Sequence, residues 1–173
     1  AIELIKGKHG NINQLIIKGE NLSADLYSNT IGKEKESIEL VESGKYDYIK
    51  ASDAVMVASG TATLETAVCG TPGVVLYKTS LFTYLLAKRL VKIDMIAMAN
   101  IVAGERVFPE LIQKDAAPGR IADEVDKILS DKSYSNDIKK RLSNIRDKLE
   151  PGSSYGRAAE LINRDFLQEH SSQ

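Results

Sequence analysis

Between residues 53 and 77 the chain reads DAVMV, ASG, TATLETAVCG and TPGVVLY. That is a short apolar run, a turn of small residues, a helical stretch, a Gly-Thr-Pro breaker and a second apolar run. The pattern predicts a β-α-β unit whose strands are apolar enough to be buried on two faces. It also constrains the rest, because parallel strands need covering helices and right-handed crossovers. The turn sets Ser59, Gly60 and Thr61 at the start of the helix. There, free backbone N–H groups and the positive end of the helix dipole can hold an anion. Glu65 follows Thr61 by one turn and shares its face.

The bland alternative is that Ser59 or Gly60 is simply a helix cap. Glu65 argues for more. A capping box needs Ser or Thr three residues before the acid, and that position is Ala62. The neighbours Ala62, Leu64, Ala67, Val68 and Cys69 read as a buried helix, in which a carboxylate needs a partner. Cys69 itself reads as a small core residue. An anion site beside a carboxylate suits a ligand with phosphate and hydroxyls, such as a nucleotide or nucleotide sugar.

The remaining segments fit an α/β reading. Residues 1–11 look like the tail of a helix that breaks at Gly7 and Gly10, with His9 capping carbonyls or facing water. Strands are expected at 14–18 (QLIIK) and 36–41 (ESIELV), with a weak helix from 19–23 to about residue 27. A short helix at 44–51 would turn Tyr46 and Ile49 inward. After the central unit, 81–92 forms an amphipathic helix, read either as core-facing or as a basic and aromatic surface for acyl chains and anionic head groups. Residues 95–98 suggest another strand, ending near Asn100. A short helix with Phe108, Leu111 and Ile112 would follow, with Glu110 and Gln113 sharing a face. Helices are expected from Pro118, over 133–149 (Ile138, Leu142, Ile145 and Leu149 inward), and over 153–170. Ligands of open parallel sheets bind beyond the carboxyl ends of the strands, which would bring Asn100 and the 59–61 turn to one edge.

Composition narrows the classes. A net charge of −1 supplies no field for nucleic acid. The single Cys69 excludes an internal disulfide. No apolar run spans a bilayer, and the first residues do not read as a signal peptide. Dinucleotide, P-loop and nucleophile-elbow motifs are absent, and no His, Cys and acidic cluster has metal-ligand spacing. Starting on Ala1 in mid-helix points to a piece of a longer protein.

The residues ASDAVMVASGTATLETAVCGTPGVVLYK, continued by YLLAKRLVKIDMIAMANIVAGERVFPELIQ, resemble the carboxyl-terminal half of lipid-A-disaccharide synthase, a GT-B glycosyltransferase. The distinguishing elements are Ser-Gly-Thr-Ala-Thr-Leu-Glu at 59–65, Gly-Thr-Pro at 70–72, Ala-Lys-Arg-Leu-Val-Lys at 87–92, and the segment 100–113. The likeness is strongest over residues 50–115. Ser-Gly-x-x-x-x-Glu alone is shared with other GT-B enzymes acting on UDP-sugars. Peptidoglycan N-acetylglucosaminyl transferase and UDP-N-acetylglucosamine 2-epimerase therefore stay open as alternatives, as does a non-catalytic nucleotide or lipid-surface module.

The resemblance implies a Rossmann-like, doubly wound parallel sheet over 1–150, its first strand preceding Ala1. It implies a carboxyl-terminal helix over 151–173 that crosses to an amino-terminal domain or swaps into a homodimer. It implies an inverting transfer of diacylglucosamine from UDP to diacylglucosamine 1-phosphate, without metal or other cofactor, at the cytoplasmic face of the inner membrane. Ser59, Gly60 and Thr61 would face the diphosphate and Glu65 the ribose. Asn100 would lie at the donor pocket near the cleft. Read from the residues alone, Glu110 and Gln113 beside that crevice either meet a sugar's hydroxyls or form a solvated helix face, and Phe82, Tyr84, Lys88, Arg89 and Lys92 are the candidates to face lipid. The general base would lie in the amino-terminal domain, leaving no catalytic residue on this chain. One departure concerns Asn100: family members carry Ser-Leu-Pro-Asn where this chain has Ala97-Met98-Ala99-Asn100.

Overall fold

The computed structural model describes residues 1–19, 22–31, 38–80 and 95–149. Its centre is the expected unit: β3 (Val55–Ala58), α4 (Thr61–Cys69) and β4 (Gly73–Tyr77). β3 and β4 run parallel, with Val55 opposite Gly73 and Ala58 opposite Leu76. The breaker between them carries several tasks. Gly70 closes α4 in the left-handed conformation at φ 76°. Buried Thr71 donates its hydroxyl to Ile49 O at 2.6 Å. Pro72 O accepts the Val55 amide at 3.0 Å. At Gly73 a Cβ would stand 2.7 Å from Val55 O, so only glycine lets the strands approach this closely.

β5 (Glu110–Ile112) extends this sheet parallel to β4, giving the order β3-β4-β5. A second parallel pair joins β1 (Gln14–Ile17) to β2 (Ile38–Val41), with α2 (Ala24–Ile31) between them in sequence. α1 (Ile2–His9) precedes β1, and α3 (Lys45–Ala51) links β2 to β3. α5 (Met98–Ala103), α6 (Pro118–Ser130) and α7 (Lys132–Lys148) complete the described helices. Among the described residues every ladder is parallel and strands alternate with helices, which is the α/β, Rossmann-like class expected for half of a GT-B enzyme.

α7 packs on α4, α5 and α6. Its Ile138, Leu142 and Ile145 are buried in the same core as Val74, Val75 and Phe108. Each such side chain contributes about 1.5–3 kcal/mol on removal from water, so this interface outweighs any single polar contact. Asp131 starts α7 by accepting from the amides of Ser133 and Tyr134, a cap worth about 1 kcal/mol. Pro118 starts α6, where a missing N–H costs nothing.

Several expectations need correction. α1 runs through Gly7 and stops only at Gly10. His9 neither caps carbonyls nor simply faces water: its Nε2 lies 2.7 Å from Asp126 Oδ1 of α6. Tyr46 is 49% exposed while Ile49 is buried. Leu149 is exposed rather than inward. The buried face of α4 is Thr63, Thr66 and Ala67, whereas Ala62 and Val68 are exposed and Cys69 is half-buried. No strand forms at 95–98: residues 95–97 join no strand or helix, and α5 starts at Met98. The strand comes instead from Glu110–Ile112, in place of the expected helix. Pairing with β4 prevails there, and Pro109, which has no N–H to give, offers its carbonyl to Val75 N at 2.9 Å. The candidate residues within 81–94 and the final helix at 153–170 lie outside the described residues.

Candidate functional site

The start of α4 sits at the carboxyl end of β3. Ser59 N donates to Leu76 O at 3.1 Å, keeping the chain in register with β4 up to the turn. Gly60 then adopts φ 139° and ψ −158°, a conformation open essentially to glycine alone. Nothing stands within 4 Å of where its Cβ would be, so a ligand can approach the bare backbone. Thr63 N bonds back to Gly60 O at 3.1 Å. Among the described residues, the N–H groups of Gly60, Thr61 and Ala62 have no acceptor, and no side chain caps the helix. Three neighbouring unpaired donors at a helix start form an anion-binding concavity.

The Ser59 hydroxyl does not cap the helix. It donates to Ile96 O at 3.0 Å and ties the turn to the 95–97 segment. Thr63, fully buried, reinforces that tie: its Oγ1 donates to Gly60 O at 2.7 Å and accepts the Ala99 amide at 3.2 Å. The first turns of α4 and α5 are thus joined through one hydroxyl.

Behind this joint lies a saturated polar cluster. Asn100 is 0% exposed. Its Oδ1 accepts from Val107 N and Phe108 N at 3.0 and 2.9 Å. Its Nδ2 donates to Phe108 O and to Glu110 Oε1, both at 2.9 Å. All four hydrogen-bonding capacities of the amide are used. Glu110 also accepts the amides of Ile96 at 3.0 Å and Ala97 at 2.9 Å. It therefore fixes the backbone of residues 96–97, just before α5, from strand β5. Gln113 sits at φ 54° in the 3-10 turn after β5. Its amide exchanges two bonds with the Thr79 backbone at 3.1 and 3.0 Å. Glu110 and Gln113 do not share a helix face; they brace two different backbone segments.

Glu65 stands one turn along α4, 32% exposed at its side chain, with both oxygens on Lys45 Nζ at 3.1 and 2.9 Å. The hydrogen bond to Glu65 raises the Lys45 ammonium above the usual lysine range. This is the partner the carboxylate needed. Lys45 comes from α3, twenty residues earlier, and no local spacing signals it. Thr63 was missed for a different reason: a Thr in a helix interior is unremarkable until its hydroxyl is seen to bond back along the helix. Burial raises the Cys69 thiol, which weighs against a reactive thiolate. Among the described residues no group of three His, Cys, Asp or Glu side chains converges as metal ligands would. No described helix is long and apolar enough to cross a membrane.

Comparison with known proteins gives one answer. The family model described as lipid-A-disaccharide synthetase matches residues 1–163. A lipid-A-disaccharide synthase of Trichlorobacter lovleyi is 47% identical over 117 residues, covering 68% of this chain and 30% of that protein. One from Syntrophus aciditrophicus is 47% identical over 122 residues, covering 70% and 32% respectively. One from Geobacter sulfurreducens is 44% identical over 117 residues, covering 68% and 30%. The chain thus spans about a third of the length of these relatives.

Proposed function

Because the chain belongs to the lipid-A-disaccharide synthetase family, we propose that it is the donor-binding part of such a glycosyltransferase and grips the UDP of a UDP-diacylglucosamine. Family membership selects this reading from the UDP-sugar GT-B alternatives. The whole enzyme would transfer 2,3-diacylglucosamine from UDP to 2,3-diacylglucosamine 1-phosphate, giving lipid A disaccharide and UDP. The observation that carries the reading is the run of three unpaired N–H groups at Gly60, Thr61 and Ala62, open to solvent above Gly60.

In this reading the α4 start receives the diphosphate. Its donors and dipole stabilise the charge that builds on the departing UDP, and they are already oriented before reaction. Glu65, held by Lys45, accepts from the ribose hydroxyls. Asn100, Glu110 and Gln113 act through backbone rather than by contact: they fix the 96–99 segment, against which Ser59 and Thr63 set the turn. No residue of this chain acts as general base, so the chain alone forms no disaccharide; product from the purified 173-residue chain would overturn that.

The segment carrying Phe82, Tyr84, Lys88, Arg89 and Lys92 serves membrane contact at the cytoplasmic face, which cosedimentation with anionic vesicles tests. The 153–170 segment, expected from its sequence to be a helix, serves a partner domain or a swapped second copy, which light scattering tests. For the nucleotide itself the test is UDP titration followed by amide NMR. Shifts should centre on 59–65 with a Kd of about 1 mM or tighter, on the order of −4 kcal/mol. An unperturbed 59–65 segment at several times that concentration would refute the assignment.

A further inference from the structure

Glu65 sets a negative charge one helical turn, roughly 6 Å, beyond Thr61 and the N–H groups that would take a diphosphate. Coulomb repulsion over such a distance opposes a ligand carrying two or more negative charges. Among the described residues the one ion pair of Glu65 is with Lys45, whose Nζ lies 3.1 Å from Oε1 and 2.9 Å from Oε2. A carboxylate offers about four lone-pair sites, shared between its two oxygens. Lys45 takes one on each oxygen, which leaves one on each for a pair of neighbouring hydroxyls. The Glu65 side chain is 32% exposed, so the carboxylate is still reached from outside.

Lys45 is itself closely placed. Gly44, left-handed at φ 72°, starts α3 and makes Lys45 its first residue. α3 packs on α4, and its other end is fastened where buried Ile49 accepts the Thr71 hydroxyl at 2.6 Å. The ammonium also stands 4.9 Å from the centre of the Tyr46 ring, within range of a cation–π attraction. A flexible four-carbon chain is thus caught between a carboxylate and an aromatic ring. The bond to Glu65 raises the ammonium above the usual lysine range, so it stays charged at neutral pH. A partly exposed pair of this kind contributes little to folding. Its larger consequence is for what can bind beside it.

We propose, on the nucleotide reading above, that Lys45 is a positioning and charge-compensating residue of the site. It presents one free lone pair on each Glu65 oxygen to a vicinal diol, and it cancels the repulsion between that carboxylate and a neighbouring diphosphate. Lys45 touches neither the phosphates nor the reacting atoms; it acts through Glu65. The ligand class selected carries a cis-diol and several negative charges within one helical turn of each other. Without Lys45 the carboxylate still meets a diol, but each added phosphate gains less than it does beside the compensated pair.

Amide NMR titrations of the 173-residue chain with uridine and with UDP test this. In Lys45→Met, UDP affinity should fall about tenfold and uridine affinity by no more than about twofold. The Val74 and Val75 amides, buried in β4, report that each variant stays folded. Lys45→Arg should bring UDP binding back to within about twofold of the parent. The double variant Lys45→Met, Glu65→Gln should bind UDP within about twofold of Glu65→Gln alone, because no carboxylate charge is left to compensate. A wider gap there would assign Lys45 a direct phosphate contact and overturn the proposal. Equal losses for uridine and UDP in Lys45→Met would overturn it too, since a merely structural role acts alike on both. A parent that binds UDP while Lys45→Met binds it equally well would overturn this inference alone. A parent whose 59–65 amides ignore UDP would overturn the nucleotide reading and this inference with it.

Discussion

The polar clusters on either side of residues 95–99 differ in what their hydrogen bonds are for. On one side Asn100 and Glu110 spend their capacity on backbone groups of this chain. On the other, Gly60, Thr61 and Ala62 leave theirs unspent. The first cluster is buried and the second is open. A saturated buried network is rigid and costly to break, whereas unpaired exposed donors are stable only because water serves them until a ligand does. The difference teaches that one cluster is foundation for the other. Thr63 is the joint, since its hydroxyl touches both.

The sharpest way to break this comparison is Asn100→Ala. It leaves Val107 N, Phe108 N and Phe108 O unpaired in a buried space, at an expected cost of about 3–5 kcal/mol in urea unfolding. If stability held while UDP affinity fell, Asn100 would be a ligand contact and the comparison would fail. Thr63→Val keeps the shape but removes the acceptor for Ala99 N, which should cost about 1–2 kcal/mol. It should also weaken UDP binding, and Thr63→Ser should restore both.

Glu65→Gln probes the open side. UDP affinity should drop about tenfold, or about 1.4 kcal/mol, measured by titration. Stability should hardly move, because the Lys45 pair is solvent-screened, with its side chains 38% and 32% exposed. Asp126→Asn, remote from both clusters, serves as the control. Lys8 first and His9 second hold the Asp126 carboxyl at about 2, below the ordinary 3.8. Between those values the unfolded chain binds more protons than the folded one. Stability from this group is therefore complete above about pH 4 and is lost as pH falls towards 2. The variant should flatten that limb of an acid-unfolding curve and leave UDP shifts at neutral pH unchanged.

The central unit was legible because its information is local: two apolar runs, a turn, a helix and a breaker lie within 53–77. The 95–112 region was not. Met95 to Met98 is a four-residue apolar run, and periodicity cannot separate a short strand from other buried backbone. Phe108, Leu111 and Ile112 fall at helical spacing, yet β4 supplies a parallel partner and the segment pairs with it. Both outcomes were decided by residues far along the chain. The candidate site divides the same way. The bare helix start could be read from Ser-Gly-Thr, while the burial of Asn100 and the Lys45 partner of Glu65 required the fold.

Gly70, Thr71, Pro72 and Gly73 answer four unrelated demands: a left-handed turn, a buried hydroxyl, a carbonyl for Val55 and a strand contact too close for any side chain. None of these demands involves a ligand. In a randomised library the four positions would return few survivors even under selection for folding alone. A descendant that had lost the nucleotide should therefore still carry the tetrapeptide, and would be traced by it long after Ser-Gly-Thr had drifted.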